Sequence, residues 1–247
     1  MKITAIIQAR TGSTRLPNKV FLPLEGKAIL LHVVDRVLQS QYIQEVIVAT
    51  TTNPKDEKIA ELFQNYRPNV FVIRGSEEDV LDRYYRAAKE YGAEIVVRIT
   101  SDNPMIDPGV IDRVIKEFLD RPGLDYASTN IGQHTFPRGT DVEVISFSTL
   151  EKLWRETTEL IDREHVTIHI KRFPEKFKTH SVQNETDLSF HRWTVDEEAD
   201  YKLAQEIYRS LYAKNPNFRI ADVLKLFRED PNLIKINQQV EQKNAKY

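Results

Sequence analysis

Ile3-Thr4-Ala5-Ile6-Ile7-Gln8-Ala9-Arg10-Thr11-Gly12-Ser13-Thr14-Arg15-Leu16-Pro17-Asn18-Lys19 is the stretch on which the fold turns. Ile3–Gln8 is a short apolar run and reads as a buried strand. The loop that follows carries three cations, Arg10, Arg15 and Lys19, around Gly12. Open α/β sheets bind ligands beyond their strand ends, where such a loop lies. Gly12 permits a tight backbone whose N–H groups can face phosphate oxygens. Arg10 and Arg15 can make forked contacts to phosphate, and Lys19 adds a compact charge. No Gly-Lys-Ser/Thr follows Gly12 at the spacing of a Walker A loop, and no Gly-x-Gly-x-x-Gly is present. A solvated turn with scattered cations accounts for the spacing equally well.

Strand and helix signals alternate outward from this loop. Leu30, Leu31, Val34, Val37 and Leu38 recur at helical spacing, and residues 45–50 form a second strand. Asn53-Pro54 reads as an N-cap and first helical residue, with Asp56 and Glu57 in the first turn. Residues 70–73 are a third strand, ending at Arg74-Gly75-Ser76. The next helix turns Val80, Leu81, Tyr84, Ala87, Ala88 and Tyr91 inward and is capped by Gly92. Residues 94–99 are a fourth strand, and Asp107-Pro108 starts a helix carrying Val110, Ile111, Val114, Ile115 and Phe118. This order predicts an α/β fold with a mostly parallel sheet between helices.

The rhythm changes after residue 122. Residues 126–134 and 141–146 read as strands, and helices are expected over 149–158 and 162–171. Residues 173–191 are polar and irregular. Residues 192–196 read as a return to a core strand, followed by a helix with Tyr201, Ala204, Ile207, Tyr208 and Leu211. The expected organisation is one domain, with a core of about 1–122 and 190–247 and an inserted lobe of about 123–189. The polar tail, 237–247, is expected to fray.

Two aspartates end expected core strands: Asp102 in Ile99-Thr100-Ser101-Asp102-Asn103-Pro104, and Asp196 in Arg192-Trp193-Thr194-Val195-Asp196. Singly, each suits a turn or helix cap. Jointly they can share Mg²⁺, which takes one or two protein carboxylates and completes its shell with phosphates and waters. Asp200 lies one helical turn further on and is a weaker candidate. Carboxylates for a hard cation and a basic loop together point to nucleoside triphosphate chemistry. Arg74, Asp79, Arg83 and Arg98 form a second polar set, explained by internal pairing or by base and phosphate contact. Thr50, Thr51 and Thr52 can line a base pocket or simply suit a strand end. His165 and His169, four apart, lack the order and third ligand of a zinc protease, so a polar or substrate contact is favoured.

Composition limits the partners. A net charge of −2 gives no reason to expect generic binding to nucleic acid or an anionic membrane, so any basic site is local. The absence of cysteine excludes disulfides and thiolate metal sites and fits a reducing cytosol, so a cytoplasmic location is expected. The apolar stretch 28–34 meets Asp35 and Arg36 too soon to span a membrane.

The loop of residues 7–19 resembles the opening signature of the cytidylyltransferase family of acidic sugars, most closely its spore-coat polysaccharide biosynthesis protein F branch. Further stretches agree in order: Arg74-Gly75 with Asp79-Val80-Leu81-Asp82-Arg83-Tyr84, the residues around Asp102, Pro137-Arg138-Gly139-Thr140-Asp141-Val142-Glu143-Val144, Arg163-Glu164-His165-Val166-Thr167, and the residues around Asp196. The resemblance implies a nucleotide-diphospho-sugar transferase (GT-A, Rossmann-like) fold with an inserted dimerisation lobe, hence a homodimer. It implies Mg-dependent transfer of CMP from CTP to a sugar, usually a keto-deoxy sugar acid, with release of pyrophosphate, for surface polysaccharide biosynthesis. Arg10, Arg15 and Lys19 would hold the triphosphate, and Asp102 and Asp196 the Mg²⁺, with Arg10, Lys19, Asp102 and Asp196 as the catalytic set. Gln8, Ala9, Gly12, Thr50, Arg74, Asp79 and Arg83 would complete the nucleotide site. Arg138, Glu164 and His165, with Arg163, would face the acceptor. Asn18 and Ser101 stand where the family usually has glycine, and asparagine tolerates the left-handed conformation.

Two rival functions share these features. A glycosyltransferase of the same fold would use a nucleotide sugar as donor, but three cations suit a triphosphate better. A non-catalytic nucleotide-binding scaffold would bind CTP without turnover. The dimer expectation rests on Phe136, Phe147, Leu150, Leu153 and Trp154, which a small lobe buries poorly alone or closes onto its own core.

Overall fold

The structure, a computed structural model, describes residues 1–242. Its elements run β1 (Ile3–Gln8), β2 (Pro23–Leu24), β3 (Lys27–Ala28), α1 (Ile29–Val37), β4 (Glu45–Thr51), α2 (Glu57–Leu62), β5 (Val70–Gly75), α3 (Val80–Glu90), β6 (Ile95–Thr100) and α4 (Pro108–Leu119). There follow β7 (Tyr126–Ser128), β8 (Glu143–Ser146), α5 (Phe147–Glu156), α6 (Leu160–His165), α7 (Ile168–Arg172), β9 (Thr179–Ser181), α8 (Glu198–Leu211) and α9 (Ile220–Glu229). The seven-stranded sheet has the order β5-β4-β1-β6-β8-β7-β9. β5, β4, β1 and β6 are parallel, whereas β8 runs antiparallel to β6 and β7. The predicted α/β class therefore holds, and the segment 123–189 contributes β7, β8 and β9 to the same sheet.

The alternation in β1 explains the two cores. Ile3, Ala5 and Ile7 face the larger cluster, with Val34 of α1, Val114 of α4 and Ile207 of α8. Ile6 faces the other side, with Tyr84 of α3, Leu150 of α5 and Ile170 of α7. Successive strand side chains point to opposite faces, so one strand serves both layers. The register then positions the site. Gln8 pairs with Ala49 and with Thr100, so the loops leaving β1, β4 and β6 emerge side by side at the carboxyl edge.

Four local expectations change. The helix expected over 162–171 is two helices, broken where Val166 takes φ +57°. That conformation is costly for a β-branched residue. It carries the Val166 side chain into the core at 1% exposure and aims the Thr167 hydroxyl at Glu143. The strand expected over 126–134 stops at Ser128. Residues 192–196 form no sheet strand: Arg192 makes one isolated bridge to Arg138. Val195 N–H donates to Asp102 O at 2.8 Å and Trp193 N–H to Arg138 O at 2.7 Å, so loops take the place of a ladder. The tail is tied down as far as it is described, because Asn237 donates to Arg192 O at 2.8 Å and Asp200 at 2.9 Å. Residues 243–247 of the tail lie outside the described residues. The β2–β3 hairpin and α9 were not anticipated.

The residues behind the dimer expectation are largely used within the chain. Phe136, Leu150 and Leu153 are buried, and Trp154 stacks on Tyr85 at 4.0 Å between ring centres. No helix among the described residues is long and apolar enough to cross a membrane.

Gly139 makes the close crossing possible. It has φ +96°, and a Cβ there would lie 2.4 Å from the Thr194 nitrogen. Gly139→Ala is therefore expected to lose more than about 2 kcal/mol of stability in urea unfolding. An unchanged midpoint would show that this crossing does not constrain the segment before Asp196.

Candidate active site

The basic loop is built from its own polar groups. The Asp56 carboxylate accepts from the Thr11 N–H at 2.7 Å and the Thr11 hydroxyl at 2.6 Å. The N–H groups of Ser13 and Asn18 both donate to Thr11 O. Asn18 adopts φ 57°, the left-handed conformation expected of it, and starts the short turn that carries Lys19. Gly12 leaves room for Glu77, whose Oε1 would lie 3.3 Å from a Cβ at that position.

Asp102 and Asp196 do come together. The Lys19 ammonium donates to Asp102 Oδ2 at 2.8 Å and Asp196 Oδ1 at 2.7 Å. Thr100 Oγ1 donates to Asp102 Oδ1 at 2.6 Å and fixes that carboxylate. Arg192 Nη2 donates to Asp196 Oδ2 at 3.1 Å and also, with Nε, holds buried Asp200, while Nη1 donates to Gln242. Asp200 also accepts from the N–H groups of Asp196 and Glu197, so it positions the Asp196 backbone. Burial alone would push the Lys19 ammonium toward neutrality, but Asp102 and Asp196 outweigh it and raise its pKa. Burial likewise pushes the Asp102 carboxyl up, and Lys19 and the Thr100 hydroxyl overcome that and hold it below the usual range.

Two cavities meet at these carboxylates. The larger, about 590 Å³, is lined by Gln8, Ala9, Arg10, Gly12, Arg15, Lys19, Arg83, Glu164 and His165 among others. The smaller, about 190 Å³, is lined by Arg98, Asn130, Arg138, Asp141, Glu143 and Thr194. Thr100, Asp102 and Asp196 line both. The larger one falls within the usual range for small-molecule sites, roughly 300–1,000 Å³. Arg10 pairs with Glu77 at 3.3 Å, and Arg15 bridges Asp196 at 3.3 Å and Glu197 at 3.2 Å.

Other expected residues are placed elsewhere. Thr50 is fully buried, lines neither cavity, and its hydroxyl has no hydrogen-bond partner among the described residues. Arg74 is taken up by Glu57 and by the carbonyls of Thr51 and Asn53. Asp79 caps α3 and pairs with Arg163 at 2.6 Å, an internal tie between α3 and α6. Arg138 lines the small cavity, whereas Glu164 and His165 line the large one, so these three do not form one subsite. His169 pairs with Asp162 and does not join His165. Among the described residues no group of three or more His, Cys, Asp or Glu is poised for a metal.

The sequence reading missed the network beneath the small cavity. Buried Glu143 accepts from Arg98 at 2.8 Å and Asn130 at 3.1 Å, and Lys171 donates to Asn130 at 2.6 Å. The pairing register of β6 with β8 places Arg98 opposite Glu143, a relation that no local spacing reveals.

The comparisons with known proteins agree with this geometry. A cytidylyltransferase family model matches residues 4–239. The chain belongs to the cytidylyltransferase family. It is 39% identical over 246 residues to an uncharacterised protein of Methanocaldococcus jannaschii, covering 99% of this chain and 98% of that one. It is 30% identical to the spore coat polysaccharide biosynthesis protein SpsF of Bacillus subtilis, covering 93% of this chain and 95% of SpsF. A cytidylyltransferase structure from Leptospira borgpetersenii superposes with a TM-score of 0.90 at 33% identity, covering 99% of this chain and all of that one. CMP:2-keto-3-deoxy-manno-octonic acid synthetase, solved with CTP, shares the fold, with a TM-score of 0.63 at 20% identity over 85% of this chain and 100% of that one. This cytidylyltransferase is thus a nucleotidyltransferase of the nucleotide-sugar transferase fold, which disfavours the glycosyltransferase and scaffold readings.

Glu143 gives the site a pH signature. Burial alone would raise its pKa, but Arg98, Lys171, Thr167 and Asn130 hold it down at about 2. A depressed carboxyl stabilises the fold fully above its ordinary value of 4.5, and that stability fades as pH falls toward about 2. Glu143→Gln should cost roughly 3–5 kcal/mol at neutral pH, because it leaves Arg98 buried and unpaired. In urea unfolding across pH, the variant should also show a shallower decline than wild type between pH 4.5 and about 2, where Glu143 titrates alongside other depressed carboxyls such as Asp102. A variant profile that falls as steeply as wild type would remove Glu143 as its source.

Proposed function

We propose that the chain transfers CMP from CTP to a sugar hydroxyl, with release of pyrophosphate and with Mg²⁺ held by Asp102 and Asp196. One observation carries the reading: both carboxylates converge on a single cation, the Lys19 ammonium, where two cavities meet. Hard oxygen donors in this number suit Mg²⁺, which leaves most of its shell to phosphate and water. Bound there, Mg²⁺ would act as a Lewis acid on phosphate oxygens. A structural neighbour from Mycobacterium tuberculosis, solved with manganese, lends support only through its shared fold.

The chain's own residues supply the remainder. The larger cavity takes the nucleotide, with Arg10, Arg15 and Lys19 facing the triphosphate and the departing pyrophosphate. The sugar enters from the smaller cavity, across the carboxylates from that leaving group. Its hydroxyl oxygen bonds to the α-phosphorus as the α–β bridging bond breaks, so that pyrophosphate leaves and the hydroxyl proton passes to solvent water. Arg138 offers a cation to an acceptor carboxylate, which fits a keto-deoxy sugar acid. Glu164 and His165 belong to the nucleotide side in this scheme. The name of the Bacillus subtilis relative supports a role in surface polysaccharide biosynthesis. The homodimer rests on the family resemblance and on Leu160, 82% exposed beside the larger cavity.

Incubation with CTP, Mg²⁺ and a panel of sugar acids should release pyrophosphate in proportion to a CMP-sugar product. Pyrophosphate release with UTP or ATP but none with CTP would overturn the reading. A second test addresses Lys19, whose ammonium occupies the space between the carboxylates. In Lys19→Met those carboxylates repel each other, so Mg²⁺ should raise the melting temperature more than in wild type. Turnover should fall by about a hundredfold, because a cation aimed at the phosphates is gone. Equal Mg²⁺ shifts in both proteins would place the metal elsewhere.

A further inference from the structure

We propose that Arg83 and Glu77 read the base of the nucleotide and together select cytosine over uracil. The proposal rests on the assignment of the larger cavity to the nucleotide.

Arg83 is the anomaly that leads there. It is 3% exposed, lines the larger cavity and has no carboxylate partner among the described residues. Its Nη1 donates to Ala49 O at a long 3.3 Å, and its buried Nε has no hydrogen-bond partner among the described residues. Three other enclosed arginines each hold a carboxylate or a pair of carbonyls, although Arg98 Nε also has no partner among the described residues. Arg98 pairs with Glu143, Arg192 with Asp200, and Arg36 donates to the carbonyls of Ile106 and Phe218. A guanidinium held out of water without an anion is costly, and burial lowers the Arg83 pKa accordingly. The fold nevertheless makes room for it. Gly75 ends β5 directly against the Arg83 stem, and a Cβ there would lie 2.7 Å from Arg83 Cγ.

Glu77 supplies the complementary group. It lies over Gly12, accepts from Asn53 Nδ2 at 3.1 Å and pairs loosely with Arg10 at 3.3 Å. Both residues belong to the β4–β5 side of the sheet, whereas Asp102 follows β6 on the other side of β1. Two to three strand spacings, about 10–14 Å, separate the two ends. A nucleotide with its α-phosphorus near Asp102 would bring its base toward Arg83 and Glu77.

The chemistry then distinguishes pyrimidines. The pairing edge of cytosine offers an amino donor at N4 and acceptors at N3 and O2. A carboxylate accepts from that amino group, and a guanidinium donates to N3 and O2. Uracil presents a carbonyl at C4 and an N–H at N3. Its carbonyl would face the Glu77 carboxylate and its N–H the Arg83 donors, so both contacts would be mismatched.

Calorimetric titration with Mg²⁺ present tests this, using CTP, UTP and tripolyphosphate as probes. Wild type should prefer CTP to UTP by about ten- to a hundredfold. Arg83→Met keeps the stem against Gly75 and should weaken CTP about tenfold or more, with tripolyphosphate unchanged. Glu77→Gln should improve UTP relative to CTP, since an amide can donate to the C4 carbonyl. Equal weakening of CTP and tripolyphosphate in Arg83→Met would make Arg83 a phosphate ligand and overturn the proposal. So would an unchanged CTP-to-UTP ratio in Glu77→Gln, which decides the matter alone if Arg83→Met does not fold. Equal binding of CTP and UTP by wild type overturns base selection while leaving nucleotidyl transfer intact. Binding of neither nucleotide more tightly than tripolyphosphate would overturn the nucleotide site and this proposal with it.

Discussion

The Lys19 ammonium ties together three distant parts of the chain. It belongs to the loop after β1, and its partners follow β6 and precede α8. Two carboxylates held this close repel each other unless a cation lies between them. The surrounding structure is arranged to keep that cation site intact. Asp56 shapes the loop that presents Lys19, Thr100 fixes Asp102, and Arg192 with Asp200 fixes Asp196. Coulombic attraction of this kind survives only where water is partly excluded, and the sheet edge provides that.

The sheet supplies the rigidity that these side chains lack individually. β1 is bonded on both sides along its length, and the two apolar clusters clamp it from above and below. Loops leaving such a strand start from a fixed point, even though their own conformations are irregular. Polar side chains then complete them: Asp56 inside the basic loop, and Glu143 below the small cavity.

The sequence made the parallel half legible because each of its elements carries a local signal. Apolar runs marked β1, β4, β5 and β6, and Asn53, Asp79 and Asp107 act as helix caps. The basic loop and both aspartates could be named because they interrupt those runs. What stayed hidden depends on long-range pairing. The Arg98–Glu143 pair follows from register between β6 and β8. The break at Val166 opposes the local helical pattern, and burial together with the Thr167–Glu143 contact offsets its conformational cost. For Arg74 and Asp79 the sequence left internal pairing and ligand contact both open, because a charge beside a strand end fits either role, and the structure gives each an internal partner.

The two cavities share Thr100, Asp102 and Asp196 and no other lining residue. Substitutions around Asn130, Arg138 or Asp141 can therefore reshape one chamber while the walls of the other stay as they were. Two chambers that touch only at three residues are mechanically separable, so a change in one wall need not propagate to the other, whereas a change at Thr100, Asp102 or Asp196 is felt in both.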